Sequence, residues 1–267
     1  MIVVTGTKRS GTSMWMQILE AAGLPLVGAA FPAVWEQSIR DANPRGFHES
    51  HLRTGIYYAT NPHPETGEFV PPRASARHVV KVFVPGLVRS DLAYLDRVVA
   101  SFRHWRAYPE SLGRLYALED DWIRVTRGDR LERVRRARGA VPPVIEWWFE
   151  MYELFRDVAT RGYPFHLVPY DRVVDDPRAA IGRVLAWIGE GDLDAAVAAV
   201  APDLRRTPRA AGPFDGVDEG LEQLLDELCA MVVDTGRLSP AMLHRMNEAQ
   251  LRLEDRWLEP RTARPAS

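Results

Sequence analysis

Ile2-Val-Val-Thr-Gly6-Thr-Lys-Arg-Ser-Gly-Thr-Ser13 lies at the head of the sequence. Ile2 to Val4 is a β-branched run that stops at Thr5-Gly6, which predicts a short strand buried on both faces, as in a parallel sheet. Gly6 to Ser13 contains two glycines, three hydroxyl residues beyond Thr7 and two adjacent cations, and reads as a loop. Met14, Trp15, Ile18, Leu19 and Ala22 then recur at helical spacing and stop at Gly23. The order is strand, glycine loop, helix.

The same alternation continues outward. Val79 to Val84 and Val98 to Phe102 predict two further strands, with a short helix between them at Ser90 to Leu95. Pro109 starts a helix running to about Asp120. Residues 127 to 138 carry six arginines and predict a solvated helical face. Val144 to Thr160 is a helix crowded with Trp147, Trp148, Phe149, Tyr152 and Phe155, so most of its surface should be buried. Phe165 to Val168 is a fourth strand. Asp176-Pro177 supplies a cap and a first-turn proline for a helix that reaches Ile188 and stops at Gly189. Two amphipathic helices follow, at about 218–234 and 240–257. They are free to pair with a second subunit, as a homodimer, or to fold back on this one. Strands alternating with helices predict one doubly wound α/β domain over residues 1–258, a parallel sheet flanked by helices, with a disordered tail at 259–267. Residues 31 to 76 are irregular, and a long loop inside a compact domain tends to be functional or mobile.

The 267 residues suffice for one large domain with a sizeable core. The net charge of −2 gives no overall attraction to nucleic acid or to an anionic membrane, so any anion site must come from local clustering. The single cysteine, Cys229, allows no intrachain disulfide and reads as a core residue. There is no basic segment followed by a long apolar one at the N-terminus, and no apolar run near the ~20 residues of a membrane span. The expectation is a cytoplasmic protein.

The Gly6–Ser13 loop has the makings of a phosphate cradle. Backbone N–H groups converge there, and the following helix adds partial positive charge. Lys8 and Arg9 add full charges, while Ser10, Thr12 and Ser13 add hydroxyl donors around Gly11. The Walker pattern G-x-x-x-x-G-K-[ST] is met at Gly6 and Gly11, but Thr12 stands at the lysine position. A nucleoside triphosphatase needs that lysine for its β- and γ-phosphates.

Arg9-Ser-Gly-Thr-Ser13 instead resembles the Lys-Ser-Gly-Thr-Thr core of the 5′-phosphosulfate loop of sulfotransferases, with arginine for lysine. Lys8 stands where that family has proline, and Met14 where it often has tryptophan. The family's 3′-phosphate motif is an arginine at a strand end and a serine eight residues later. Arg103, Arg106 and Ser111 reproduce R-x-x-R-x-x-x-x-S directly after the Val98–Phe102 strand. The alternative register from Arg89 to Ser101 has the wrong spacing. Phe165 to Gly189 resembles the family's late strand and helix. Arg205 and Arg206 fall in a loop where members often place basic residues against the 3′-phosphate. The resemblance covers roughly residues 1 to 210. It implies the P-loop-like sulfotransferase fold and 3′-phosphoadenosine 5′-phosphosulfate (PAPS) as co-substrate. It also implies a small-molecule or glycan acceptor bearing a hydroxyl or amine.

Sulfuryl transfer needs a base for the acceptor, cations for the departing phosphate and alignment of the three centres. Arg9 is the first cation expected. Val80-Lys81-Val82-Phe83-Val84-Pro85 resembles the family's Lys-Thr-His-Leu-Pro strand and puts Lys81 on its lysine. A lysine inside an apolar strand needs an anionic partner or a water-filled cleft. The family's catalytic histidine falls on Phe83, so the base must lie elsewhere. Some members use a glutamate from the region after the first helix, which implies Glu49, with His48 second. No clustered His/Cys/Asp set points to a metal. Two alternatives stay open: a P-loop-type kinase, and a non-catalytic nucleotide-binding protein of the same fold.

Overall fold

The computed structural model describes residues 1–32, 39–200 and 208–257. Five parallel strands form one sheet in the order β2-β3-β1-β4-β5. They are β1 (Ile2–Thr5), β2 (Leu26–Val27), β3 (Val79–Lys81), β4 (Arg97–Phe102) and β5 (Phe165–Pro169). Ten α-helices surround them among the described residues: α1 (Thr12–Ala21), α2 (Val84–Arg89), α3 (Tyr108–Arg127), α4 (Leu131–Arg138), α5 (Pro143–Arg161), α6 (Tyr170–Asp175), α7 (Pro177–Ile188), α8 (Leu193–Ala198), α9 (Glu219–Thr235) and α10 (Pro240–Trp257).

Alternation along the strands divides the core into two layers. Ile2, Val4, Val79 and Val99 pack with α1, α7 and α8. Met1, Val3, Val80, Val98 and Ala100 pack with the aromatic face of α5 and with α9 and α10. Both faces are covered, which is why these strands read as continuous apolar runs rather than alternating ones. Trp147 and Trp148 are fully buried. The last two helices fold back on this chain. Trp148 Nε1 donates to Gln250 Oε1 at 2.8 Å, and Tyr152 donates to Asn247 Oδ1 at 3.0 Å. Cys229 is buried and its thiol is pushed up to about 12 by desolvation.

The structure corrects the reading between residues 79 and 95. β3 ends at Lys81, and the chain turns at Phe83 into α2, with Pro85 in its first turn. A proline there costs no helix hydrogen bond and presets φ, so Pro85 starts a helix instead of ending a strand. A single 3₁₀ turn, Leu92–Tyr94, replaces the helix expected at 90–95. The reading also missed β2, α6 and α8. Two to six residues are too few to show a period.

Within the arginine-rich stretch, Arg135 and Arg138 each reach Asp120 at 2.8 Å and brace α4 on α3. No helix among the described residues is long and apolar enough to cross a membrane.

β1 is central, and the chain passes from β3 on one side of it to β4 on the other. Ligands of open α/β sheets bind beyond the strand ends at such a reversal. Gly6, Lys81 and Arg103 all leave strands there.

Candidate functional site

A cavity of about 640 Å³ opens at this edge. Its first wall is the glycine loop. Gly6 has φ of +143°, and a β-carbon on it would collide with the Ser101 carbonyl of β4. Only glycine allows that approach. Gly11, at φ +103°, caps α1, and a β-carbon there would stand 2.7 Å from the Tyr170 ring. Ser101 Oγ donates to the Ser10 carbonyl at 2.6 Å, tying the loop to β4.

Lys8, Arg9, Gly11, Thr12 and Ser13 line the cavity as expected. Ser10 does not. Its side chain is fully buried beneath the loop, its hydroxyl has no partner, and its N–H bonds to the Thr7 carbonyl at 3.1 Å. The cause is the glycine at position 6, whose missing β-carbon leaves the space that Ser10 Oγ occupies. Lys8 stands at the rim and ion-pairs with Glu146 Oε1 of α5 at 3.1 Å.

The second wall comes from the end of β4 and the start of α3. Arg103 is buried; its Nη1 donates to the Arg9 carbonyl at 2.6 Å, and its guanidinium lies 4.9 Å from the centre of the Tyr170 ring. Burial lowers its pKa, and its Nε–H has no partner. Ser111, in the first turn of α3, accepts from Arg9 Nε at 3.4 Å. The two expected phosphate motifs therefore touch. Arg106 turns the other way. It pairs with Glu222 and Asp226 of α9 at 2.7 Å each, and it does not line the cavity.

Lys81 and Glu49 form the floor. Lys81 is not a solvated strand-edge lysine. Its Nζ lies 2.7 Å from Glu49 Oε1 and donates to the Phe47 carbonyl at 2.6 Å and to Ser13 Oγ at 3.1 Å. Desolvation lowers the Lys81 pKa, with Glu49 opposing. Arg53 approaches the other carboxylate oxygen at 3.5 Å. The loop that delivers Glu49 is held by a bridge between Ala29 and Glu49 and by Gln17, whose amide donates to the Gly46 carbonyl at 3.0 Å. His48 faces away. Its Nε2 sits 3.2 Å from the Arg45 carbonyl and it does not line the cavity. The backbone turns at His48, whose φ of +50° is left-handed, and Glu49 is the residue of the pair that meets Lys81. Phe83 lines the cavity, in the position where the resemblance has a histidine.

Solved structures that resemble this chain include two sulfotransferase domains. One is the sulfotransferase domain of the Synechococcus PCC 7002 olefin synthase, 13% identical over 94% of each chain, with a TM-score of 0.38. The other is the sulfotransferase domain of the curacin biosynthetic pathway, 13% identical over 94% of this chain and 96% of that one, with a TM-score of 0.39. No family model and no curated protein matches the sequence.

Arg114 also lines the cavity, and the motif reading passed over it. The available signal was helical spacing, because a residue three after Ser111 shares its face. Arg205 and Arg206 lie outside the described residues. Among the described residues, no group of three or more His, Cys, Asp or Glu side chains is placed to hold a metal ion.

Proposed function

We propose that this chain transfers a sulfuryl group from PAPS to a hydroxyl or amine acceptor, with 3′,5′-ADP as the second product. The observation that carries this reading is the contact between the two cationic groups at one cavity. Arg9 reaches Ser111 at 3.4 Å and Arg103 reaches the Arg9 backbone at 2.6 Å, with the Lys81–Glu49 pair adjoining. PAPS carries anions at both the 5′ and 3′ positions of one ribose, and two joined cationic groups suit that pattern.

The residues present fit the co-substrate. Arg9, the loop N–H groups, Thr12 and Ser13 would hold the 5′-phosphate at the N-terminus of α1. Arg103 and Ser111 would hold the 3′-phosphate, and the buried, unpartnered Nε–H of Arg103 is a donor in need of an acceptor. PAPS, when bound, supplies the sulfuryl group and a phosphate leaving group. Glu49 takes the acceptor's proton, and Lys81 holds the carboxylate in place. Arg9 and Lys81 neutralise the charge that grows on the phosphate oxygen. A kinase would need a lysine at Thr12.

Calorimetric titration with 3′,5′-ADP and with ATP, both without magnesium, tests the reading. Micromolar binding of 3′,5′-ADP and none of ATP is expected, followed by turnover in an acceptor screen with PAPS. Better binding of ATP would overturn it in favour of a kinase. Binding of 3′,5′-ADP with no turnover on any acceptor would favour the non-catalytic reading.

A further inference from the structure

The hairpin of α3 and α4 carries seven arginines between residues 124 and 138. Three of them meet carboxylates. Arg124 pairs with Asp121 at 2.7 Å, and Arg135 and Arg138 pair with Asp120 at 2.8 Å. Arg135 and Arg138 lie with the buried Leu131 and the half-buried Val134 on the side of α4 turned toward α3. The other four arginines are placed differently. Arg127, Arg130, Arg133 and Arg136 are exposed, and no carboxylate among the described residues pairs with them. They recur at every third residue, so Arg130, Arg133 and Arg136 share the outer side of the helix.

Residues 127 to 138 set six arginines against Asp129 and Glu132, a local charge of +4 in a chain whose net charge is −2. Every residue from 124 to 130 is exposed, so the bend of the hairpin stands in solvent. Val125, near the end of α3, is 86% exposed and leaves an uncovered aliphatic group beside the arginines. Like charges at helical spacing weaken a helix. The stripe therefore gives the free protein no stability, and its compensation comes from an anion outside the chain.

We propose that the tip of this hairpin docks on a membrane surface that carries anionic phospholipid headgroups. Arg127, Arg130, Arg133 and Arg136 meet the headgroup phosphates and carboxylates, for which the guanidinium fork is suited. Val125 enters the boundary beneath the headgroups. A flat, fluid surface needs no matching pocket. An acidic protein would instead need a packed interface of about 800 Å² on each side with an apolar centre, and a single valine does not provide one. A polyanion free in solution leaves Val125 without a role. Charges more than about 8 Å from the surface are largely screened at physiological salt, so the net negative charge of the rest of the chain opposes a contact at the tip only weakly. The inference is independent of the sulfotransferase reading.

The test is co-sedimentation of the full chain with vesicles of phosphatidylcholine alone and of phosphatidylcholine mixed with phosphatidylserine, at low and at high salt. Wild type should bind the mixed vesicles at low salt, leave them at high salt and ignore phosphatidylcholine. Each arginine near such a surface changes the partition about fivefold. The combined variant Arg130→Gln, Arg133→Gln and Arg136→Gln should therefore bind roughly a hundredfold more weakly. Val125→Ser should weaken binding by a smaller factor. Equal binding to the two kinds of vesicle, or binding to neither, overturns the inference. So does a triple variant that binds like wild type. Capture of wild type on heparin without vesicle binding gives the stripe to a soluble polyanion and overturns the lipid assignment. The three arginines are exposed, so the triple variant should fold, and its thermal melt checks this. Should it melt early, Arg133→Gln alone takes its place, with about a fivefold loss expected.

Discussion

Lys81 Nζ and Glu49 Oε1 stand 2.7 Å apart, with the two side chains 2% and 3% exposed. Removing one partner strands a buried charge, which typically costs about 3–5 kcal/mol. Glu49→Ala should therefore lose stability on that order in urea denaturation. Glu49→Gln keeps the shape and a hydrogen-bond acceptor, so it should lose less. The glutamine variant separates function from folding. It should bind 3′,5′-ADP within about threefold of wild type and show no turnover. Full activity in Glu49→Gln would remove Glu49 as the base.

Arg103 and Arg106 are three residues apart and face opposite ways. Arg103→Ala should cost most of the 3′,5′-ADP affinity. Arg106→Ala should leave that affinity within twofold, because its partners are Glu222 and Asp226 on α9. Its cost should appear in stability instead, at about 1 kcal/mol for a partly exposed ion pair. Calorimetry and urea denaturation on the two variants decide this. Loss of nucleotide binding in Arg106→Ala would contradict the structure.

Gly6→Ala tests the loop's approach to β4. The added β-carbon meets the Ser101 carbonyl and Ser10 Oγ, and the backbone angle is one that alanine rarely adopts. A loss of about 2 kcal/mol or more is expected in urea denaturation, together with weaker binding of 3′,5′-ADP. An alanine variant with wild-type stability and affinity would mean that the loop does not hold this conformation.

Glu150 of α5 supplies a pH prediction. Burial, and then the neighbouring carboxylate of Glu146, raise its pKa to about 7, with Lys8 opposing and Glu153 adding to the rise. The folded value lies above the unfolded one. Its contribution is therefore fully present below about pH 4.5. It is lost as pH rises toward 7, and is level beyond that. The loss is on the order of 3 kcal/mol at most. Urea denaturation at steps from pH 4.5 to 8 should show the decline in wild type. Glu150→Gln has no such carboxyl and should show less of it. Parallel pH profiles would show that Glu150 titrates normally.

Much of the fold was legible because its signals are local. The Ile2–Thr5 strand, the glycine loop and the helix from Thr12 are each written in consecutive residues. So are the cap at Asp176-Pro177 and the stop at Gly189, where Asp176 does accept from the Ala179 N–H and Gly189 adopts a left-handed φ. Periodicity, caps and prolines act within one or two turns, so they can be read without knowing the neighbours. Arg9 and Ser111 are legible in the same way from the glycine loop and the helix start, whereas Lys81 was placed by the family resemblance, inside a strand read to run to Val84.

Tertiary structure decided the direction of each side chain. His48 and Glu49 are adjacent in sequence, yet only Glu49 meets Lys81, because the bridge to Ala29 sets which of them points inward. Ser10 turns beneath its own loop because Gly6 leaves room. Arg106 is drawn to carboxylates more than a hundred residues away, and Arg114 joins the cavity because α3 lies along it. These outcomes depend on which strands are neighbours and how helices lie across them. They are set by burial and charge balance summed over the whole chain, and no short stretch of sequence carries that sum.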